Sequence, residues 1–336
     1  MWVAMNAQTA QALNKMNAKF YAALASEFSA TRQSKWQGWE RVAGLLREVF
    51  GEDLAREVCG EGALSCVNVA SVSAAGLANN RMGEKTRDVV EAAKHLSCVD
   101  VACGNLRFQK FLLESFPNAS FDFLCLDNCE SLKAEGYFGE ISKNARANLQ
   151  FSQCDIVTCL LDDAPLPMRK EQAQLVSSFG FMHHIPGFSA RAAFLRQLFE
   201  TAAPGGLIVV SLWRFMNDPK LAKKAHTSHE KALVALQKEL CCSTNGGSAF
   251  CDITSDANAL DVSALATSAL DLDKNDYLLG WQEQGEYFRY CHYFDNEEIE
   301  ALIATALDTG LVSLQDRFDA DGRTEALNTY LVFRRK

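Results

Sequence analysis

The residues best suited to chemistry lie between Cys98 and Asp127, where a glycine-containing loop is followed by a single acidic residue. A short apolar run ends in a loop that holds Asp100, Cys103 and Gly104, and a helix with an apolar face follows. A second apolar run then stops at Asp127. Such a loop allows the backbone to approach a ligand, and a carboxylate at the tip of a strand can accept hydrogen bonds from both hydroxyls of a ribose. The order strand, loop, helix, strand, acid therefore predicts the front of a nucleotide-binding α/β domain.

The loop sequence D-V-A-C-G-N-L indicates which nucleotide is favoured. A dinucleotide site uses G-x-G-x-x-G to admit a pyrophosphate, whereas this loop contains one glycine, Gly104. The loop resembles motif I of the class I S-adenosylmethionine (SAM) methyltransferases, D-x-G-C-G-x-G, with Ala102 and Leu106 in place of glycines. The resemblance implies that the methionine part of SAM is surrounded by Asp100, Ala102, Cys103 and Gly104. It places the ribose at Asp127, and Asn128 is a further cofactor-binding candidate. An α/β domain without a ligand here is the alternative.

Two later segments extend the resemblance. In the family an acidic residue followed by a hydrophobic one lies by the adenine, which makes Asp155 and Ile156 cofactor-binding candidates; the alternative is a buried strand flanked by a polar turn. Further on, the pattern predicts a strand that ends at His183–His184, a helix from Ser189 and a turn at Pro204–Gly206 into another strand. This segment resembles motifs IV to VI, so three motifs occur in the order and spacing of the family.

Length and composition limit the class of protein. The chain has 336 residues, of which 48% are hydrophobic, enough for a sizeable core. It has no apolar run of about 18 residues, and its first residues lack the pattern of a secretory signal. The twelve cysteines are scattered and lie mostly in apolar runs, as expected of small buried side chains in a reducing compartment. We therefore expect a cytoplasmic protein without a membrane segment.

Net charge and the spacing of potential metal ligands limit the possible binding partners further. The net charge of −9 and the pI of about 5.3 argue against a protein whose whole surface binds nucleic acid. Residues 32–47 and 214–238 are locally basic, and the alternative for both is a solvated helix face. No metal site is predicted, because the nearest group of potential ligands is irregularly spaced. That group consists of His226, His229, Cys241, Cys242 and Cys251.

The order of predicted elements matches an α/β, Rossmann-like, seven-stranded class I methyltransferase sheet whose final strand is antiparallel. Residues 1–85 are predicted to form an N-terminal helical extension, with helix from about Ala7 to Phe50. Residues 86–336 are predicted to form the methyltransferase domain, with an insertion after strand five at about 214–276. Further helices are predicted at Asp88–His95, Lys220–Leu240, Val262–Ala269 and Asn296–Leu307. The last two strands are predicted at Leu311–Phe318 and Thr329–Arg334.

Two segments outside the predicted core resemble the eukaryotic tRNA wobble-uridine methyltransferases that esterify 5-carboxymethyluridine. Glu27–Val42 resembles the FS-x-TR-x-x-x-W segment of that family, and Asp276–Ile303 resembles its segment D-x-L-V-P-W … RYYH-x-F … E-L. The matching residues are Phe28, Ser29, Thr31, Arg32, Trp36, Trp281, Arg289, Tyr290, His292, Phe294 and Glu298. Gly280 stands in place of a proline, and Cys291 in place of an aromatic residue.

The resemblance implies a reaction and a set of roles. A carboxylate is already ionised at pH 7, so its esterification needs positioning rather than a strong base. A planar Arg fork suits a carboxylate, which makes Arg32 and Arg289 catalytic candidates, and His184 and His292 are catalytic candidates through hydrogen bonds to the acceptor. The substrate-binding candidates are His183, Trp36, Trp281 and Tyr290, the aromatic ones because they could stack on an unpaired base. Core packing is the alternative for the aromatic side chains, and a backbone-bonded strand end is the alternative for His184.

Three functions remain open at this point. The first is SAM-dependent methylation of a wobble uridine in a tRNA anticodon loop, a reaction for which the eukaryotic relatives use a small zinc-binding partner protein. The second is SAM-dependent methylation of a small molecule, favoured by the acidic pI and by an insertion that could serve as a lid. The third is a non-catalytic subunit of the same fold that binds a partner, favoured by the loss of two loop glycines.

Overall fold

A computed structural model describes residues 5–51, 95–134, 136–243, 272–281 and 284–336. The helices of this part are α1 (Ala7–Ala30), α2 (Gly38–Phe50), α3 (Arg107–Ser115), α4 (Glu130–Ala134), α5 (Phe138–Ile141), α6 (Ile156–Leu161), α7 (Phe188–Thr201), α8 (Pro219–Ser243) and α9 (Asn296–Asp308). The strands are β1 (His95–Val101), β2 (Ser120–Asp127), β3 (Ala147–Gln153), β4 (Ala173–Ser178), β5 (Ala202–Trp213), β6 (Asp276–Trp281), β7 (Gln284–His292), β8 (Val312–Ala320) and β9 (Asn328–Arg335). Short 3-10 helices lie at Met182–His184 and Phe215–Asn217.

The strands of the described part form a seven-stranded sheet and a separate hairpin. The order in the sheet is β3-β2-β1-β4-β5-β9-β8. Strands β1 to β5 pair in parallel, and β9 lies antiparallel to both of its neighbours. This topology confirms the predicted Rossmann-like sheet of the class I methyltransferases, with helices before it and an insertion after β5.

The sheet is buried on both faces because its central strands are apolar on both faces. In β1, Leu96 and Cys98 belong to one hydrophobic cluster, whereas Val99 and Val101 belong to the other. Helices α2 and α3 cover the first face, and α7 and α9 cover the second. A mainly parallel sheet needs such double cover. The carboxyl ends of β1, β2 and β4 then share one edge, which is where ligands bind in sheets of this kind.

One local prediction is wrong. The strand predicted to end at His183–His184 ends at Ser178, because Gly180 takes a left-handed φ of +66° and the chain turns into a 3-10 helix. The apolar run after Asp155 forms α6 and not the buried strand that was the alternative for this segment. The carboxylate of Asp155 caps this helix by accepting the backbone N–H of Thr158 at 3.0 Å.

The hairpin β6–β7 does not join the main sheet. Its Leu278 and Tyr290 pack in one hydrophobic cluster with Leu13 of α1 and Leu233 of α8. The N-terminal helix, the hairpin and the insertion therefore share a small core. His229 of α8 accepts the backbone N–H of Leu278 at 3.1 Å. The predicted helices Asp88–His95 (apart from His95, which begins β1) and Val262–Ala269, and the side chains of Cys241, Cys242 and Cys251, lie outside the described residues. Among the described helices, none combines the length and the apolar character needed to cross a bilayer.

Candidate active site

A cavity of about 500 Å³ opens at the carboxyl edge of the sheet, beneath α1. All eight residues predicted to bind the cofactor line it: Asp100, Ala102, Cys103, Gly104, Asp127, Asn128, Asp155 and Ile156. We call this part of the cavity the aspartate end. The lining also includes a second group, which we call the arginine end, formed by Tyr21, Phe28, Arg32 and His184 together with the neighbouring Arg289.

The loop after β1 has a left-handed backbone at alternate positions. The φ angles are +61° at Ala102, +56° at Gly104 and +65° at Leu106. Only glycine adopts this conformation without a steric cost, which is about 1–2 kcal/mol for other residues. Ala102 and Leu106 are the two positions where the resembling motif has glycine. The loop therefore keeps the conformation of the motif although two of the glycines are absent.

Asp127 closes the end of β2 against this loop. One carboxylate oxygen accepts the backbone N–H of Gly104 at 2.8 Å, and the other accepts that of Cys129 at 2.8 Å. Burial raises the pKa of Asp127 above its ordinary value, opposed by the backbone N–H groups that it accepts. An ionised carboxylate has about four acceptor positions, so both oxygens can accept a further hydrogen bond from the cavity.

Asp100 ties three elements together at the bottom of the cavity. Its carboxylate accepts the hydroxyl of Ser177 in β4 at 2.6 Å and the side-chain amide of Gln109 in α3 at 2.7 Å. Burial raises the pKa of Asp100 to about 6. The side chain therefore fixes the loop relative to β4 and α3 while one of its faces lines the cavity.

Asp155 is held from above by a residue that the sequence did not single out. The amide of Asn14 in α1 donates to both carboxylate oxygens of Asp155 at 3.1 Å and to the hydroxyl of Thr158 at 3.1 Å. Asn14, Asn17 and Tyr21 recur at helical spacing on one face of α1. This polar stripe was the available signal that α1 covers a site.

Two guanidinium groups share the arginine end. Arg32 lies over the ring of Phe28, 3.4 Å from its centroid, and 4.9 Å from that of Trp281; Arg289 faces the same two rings at 5.5 and 5.9 Å. The pKa of Arg32 is lowered to about 9, mainly by burial and to a lesser extent by the neighbouring charge of Arg289. Among the described residues no carboxylate lies within 4.0 Å of either guanidinium, and the buried Nε of Arg289 has no hydrogen-bond partner there. The two charges are thus uncompensated in a partly desolvated place, which favours an anion.

A chain of hydrogen bonds connects Arg289 to the cavity. Arg289 donates to the hydroxyl oxygen of Tyr21 at 3.0 Å, and that hydroxyl lies 2.8 Å from Nε2 of His184. Nδ1 of His184 lies 2.8 Å from the carbonyl oxygen of Tyr290, which can only accept. Nδ1 therefore carries the ring proton, and Tyr21 donates to Nε2. Burial and then Arg289 lower the pKa of His184 to about 3, so the imidazole is neutral and a poor base at pH 7.

His292 and Tyr290 were predicted to act on the substrate, but the structure places both outside the cavity lining. His292 lies between the carboxylates of Asp276 and Glu298, at 2.6 and 2.5 Å, and Tyr290 donates its hydroxyl to Asp276 at 2.8 Å. Arg191 pairs with Glu298 at 2.8 Å. All five side chains are buried, and their network joins the hairpin to α7 and α9.

The remaining predicted residues are divided between the cavity and its surroundings. Trp36 lines the cavity and stacks on Trp39, with ring centroids 5.5 Å apart. Trp281 lies at the side of the arginine end against Phe28. His183 is buried between His184 and Trp213, with centroid distances of 4.1 and 4.9 Å, and does not line the cavity.

Comparison with known proteins gives likeness of fold. No protein-family model matches the chain, and no curated protein matches it. A solved SAM-dependent methyltransferase from Methanosarcina mazei is 9% identical, with a TM-score of 0.47, covering 75% of this chain and 99% of that one. The N-methyltransferase NodS from Bradyrhizobium japonicum is 9% identical, with a TM-score of 0.37, covering 71% and 78%. The 1,6-didemethyltoxoflavin-N1-methyltransferase from Burkholderia thailandensis is 12% identical, with a TM-score of 0.40, covering 72% of each chain. At such identities function has to be argued from the residues of the cavity.

Proposed function

We propose that this protein is a SAM-dependent methyltransferase whose methyl acceptor is a carboxylate. One observation carries the proposal: the cavity is lined by a nucleotide-type loop and acid and by the half-buried Arg32, and the buried Arg289 is joined to it through Tyr21, with no acidic partner for either guanidinium among the described residues. The first half suits a nucleoside cofactor, and the second half suits an anionic acceptor.

The chemistry of the aspartate end suits the cofactor. The carboxylate of Asp127 keeps acceptor capacity for two ribose hydroxyls, Ile156 offers an apolar surface to the adenine, and the loop backbone at 102–104 borders the methionine part. When bound, SAM supplies an electrophilic methyl group, and its transfer to a carboxylate oxygen forms one C–O bond, breaks one C–S bond and releases no proton. A base is therefore not needed for this acceptor.

The arginine end supplies what a carboxylate does need. Arg32 lines the cavity and offers a planar fork to the carboxylate, Arg289 adds a second positive charge behind Tyr21, and the rings of Phe28 and Trp281 limit the access of water. Both ring nitrogens of the neutral His184 are engaged, by Tyr21 and by the carbonyl oxygen of Tyr290, and its low pKa makes it unsuited to removing a proton from a phenol or an amine. The site therefore favours an acceptor that arrives already ionised.

For the identity of the acceptor we propose a 5-carboxymethyluridine at the wobble position of a tRNA. The support is the resemblance of the segments around Arg32 and Arg289, together with Trp36, whose half-buried ring lines the cavity and could stack on an unpaired base. A small carboxylate is the second candidate, and the net charge of −9 favours it, because tRNA binding needs a positive surface.

The two acceptors are separated by methyl transfer from radiolabelled SAM into an extract of a strain that lacks this gene. Such an extract supplies unmodified acceptor and any partner protein. Counts in tRNA that ribonuclease removes and mild base releases as methanol would support the wobble-uridine ester. Counts in base-labile small molecules alone would replace tRNA by a metabolite. Counts in base-stable products would overturn the carboxylate acceptor, and absence of SAM binding would overturn the enzyme itself.

A further inference from the structure

A second arginine, Arg107, lines the cavity besides Arg32. Arg107 is the first residue of α3 and follows the 100–106 loop directly. Its guanidinium lies over the rings of Trp36 and Trp39, at 5.7 and 5.6 Å from their centroids, and not over those shared by Arg32 and Arg289.

Two of the three nitrogens of the Arg107 guanidinium donate hydrogen bonds to the protein. Its Nε donates to the side-chain oxygen of Asn105 at 3.1 Å, and its Nη1 donates to the carbonyl oxygen of Ser34 at 2.8 Å. The second terminal nitrogen makes no hydrogen bond within the part of the chain that the structure describes, and no carboxylate there lies within 4.0 Å of the group. Burial lowers the pKa of Arg107 to about 10, so the group is still charged at pH 7.

We infer that Arg107 binds the carboxylate of the methionine part of SAM, an inference that rests on the proposed function. SAM carries one carboxylate, on the part of the molecule that the 100–104 loop is proposed to border, and Arg107 is the arginine attached to that loop. The two charges at the arginine end then remain free for the acceptor. Each anion in the reaction obtains its own guanidinium site, so cofactor and acceptor do not compete for one.

The inference is tested by comparing SAM with decarboxylated SAM, which lacks only this carboxylate. Isothermal titration gives the Kd of each compound for the wild-type protein and for Arg107→Gln, Arg107→Lys and Arg32→Gln. We expect the wild type to prefer SAM by about 10- to 100-fold, the range for a hydrogen bond between charged groups. Arg107→Gln should lose that preference, Arg107→Lys should keep part of it, and Arg32→Gln should keep all of it. Thermal unfolding of each variant shows whether it is folded.

The outcomes distinguish this inference from the proposal on which it rests. A full preference for SAM in Arg107→Gln, or its loss in Arg32→Gln, would overturn the role of Arg107 and leave the methyltransferase proposal standing. Equal binding of the two compounds by the wild type would do the same. Binding of neither compound by the folded wild type would overturn both.

Discussion

The two ends of the cavity differ in how completely their charges are satisfied. At the aspartate end each carboxylate already has partners: Ser177 and Gln109 for Asp100, two backbone N–H groups for Asp127, and Asn14 for Asp155. At the arginine end two guanidiniums lie against aromatic rings without an acidic partner among the described residues. The carboxylates of the aspartate end are therefore held in place before any ligand binds, whereas the arginine end gains most from an anion that binds there.

The ends also differ in how they are assembled along the chain. The aspartate end comes from one segment, Asp100 to Ile156, in which strand ends and their loops follow one another. The arginine end joins α1 to the hairpin: the hydrogen bond between Arg289 and Tyr21 spans 268 positions, and that between His184 and Tyr290 spans 106. We therefore expect substitutions at the two ends to separate cofactor binding from turnover.

Removal of Arg32 should produce the largest effect. Arg32→Ala should lower the rate of methyl transfer by about 100- to 1000-fold, because truncating one partner of a buried charge pair costs about 2–5 kcal/mol. The Kd for SAM, measured by titration calorimetry, should stay unchanged. Arg196→Ala, at an exposed arginine paired with Glu200, is the matched control and should behave like the wild type. A loss of SAM binding in Arg32→Ala would move Arg32 to the aspartate end.

Removal of Asp127 should affect the other end. Asp127→Ala should raise the Kd for SAM by about 10- to 100-fold, because it removes charge-assisted hydrogen bonds to the ribose. Asp122→Ala, on the same strand but at the surface, is the control for damage to β2. Equal SAM affinity in the wild type and Asp127→Ala would contradict the placement of the cofactor.

Tyr21→Phe should give a smaller effect that is confined to the arginine end. The substitution removes the hydroxyl that accepts from Arg289 and donates to His184, so the guanidinium is aimed less well. We expect a KM for the acceptor raised about tenfold, in line with the loss of one such bond. Saturation kinetics with SAM and acceptor varied separately would check this. A raised KM for SAM alone would show that Tyr21 serves the cofactor instead.

The buried network around His292 should make stability depend on pH. Burial and Arg191 lower the pKa of His292, but hydrogen bonds to Asp276 and Glu298 outweigh them and raise it above the ordinary 6.5. Because protonation of His292 is favoured in the folded state, its contribution to the free energy of unfolding is complete below about pH 6.5. That contribution declines as the pH rises through the pKa of His292 in the folded protein. Denaturant unfolding of the wild type and His292→Gln across pH 5–9 should show a difference that shrinks at high pH. A difference that grows with pH would refute this assignment.

The smallest expected effect tests the strained loop. Ala102→Gly should stabilise the protein by less than about 1 kcal/mol, because glycine adopts the φ of +61° without steric cost but loses more backbone entropy on folding. Ala193→Gly, in the middle of α7, should instead destabilise it by about 0.5–1 kcal/mol. If both substitutions destabilise equally by denaturant unfolding, the backbone at 102 is not strained.

The aspartate end was predictable from the sequence because its signals are local. An apolar strand, a loop and a terminal acid follow one another within Asp100 to Asp127, and the topology of the sheet brings Asp155 to the same edge. The arginine end was predictable only through the resemblance, since no local pattern pairs Tyr21 or Arg32 with Arg289. Short apolar runs do not by themselves distinguish a strand from a helix. The segment after Asp155 forms a helix whose first turn is capped by the Asp155 carboxylate. The sequence also did not show that Asp276 and Glu298 enclose His292.

Helix α1 contributes to both ends of the cavity, and this has a thermodynamic consequence. Asn14 contacts Asp155 and Tyr21 contacts His184, two positions separated by about two helical turns, or roughly 10 Å, on one rigid element. A ligand that fixes one end of α1 also fixes the other, so part of the ordering cost is met only once. Cofactor and acceptor should therefore bind with positive heterotropic cooperativity, each raising the affinity of the other by the same factor.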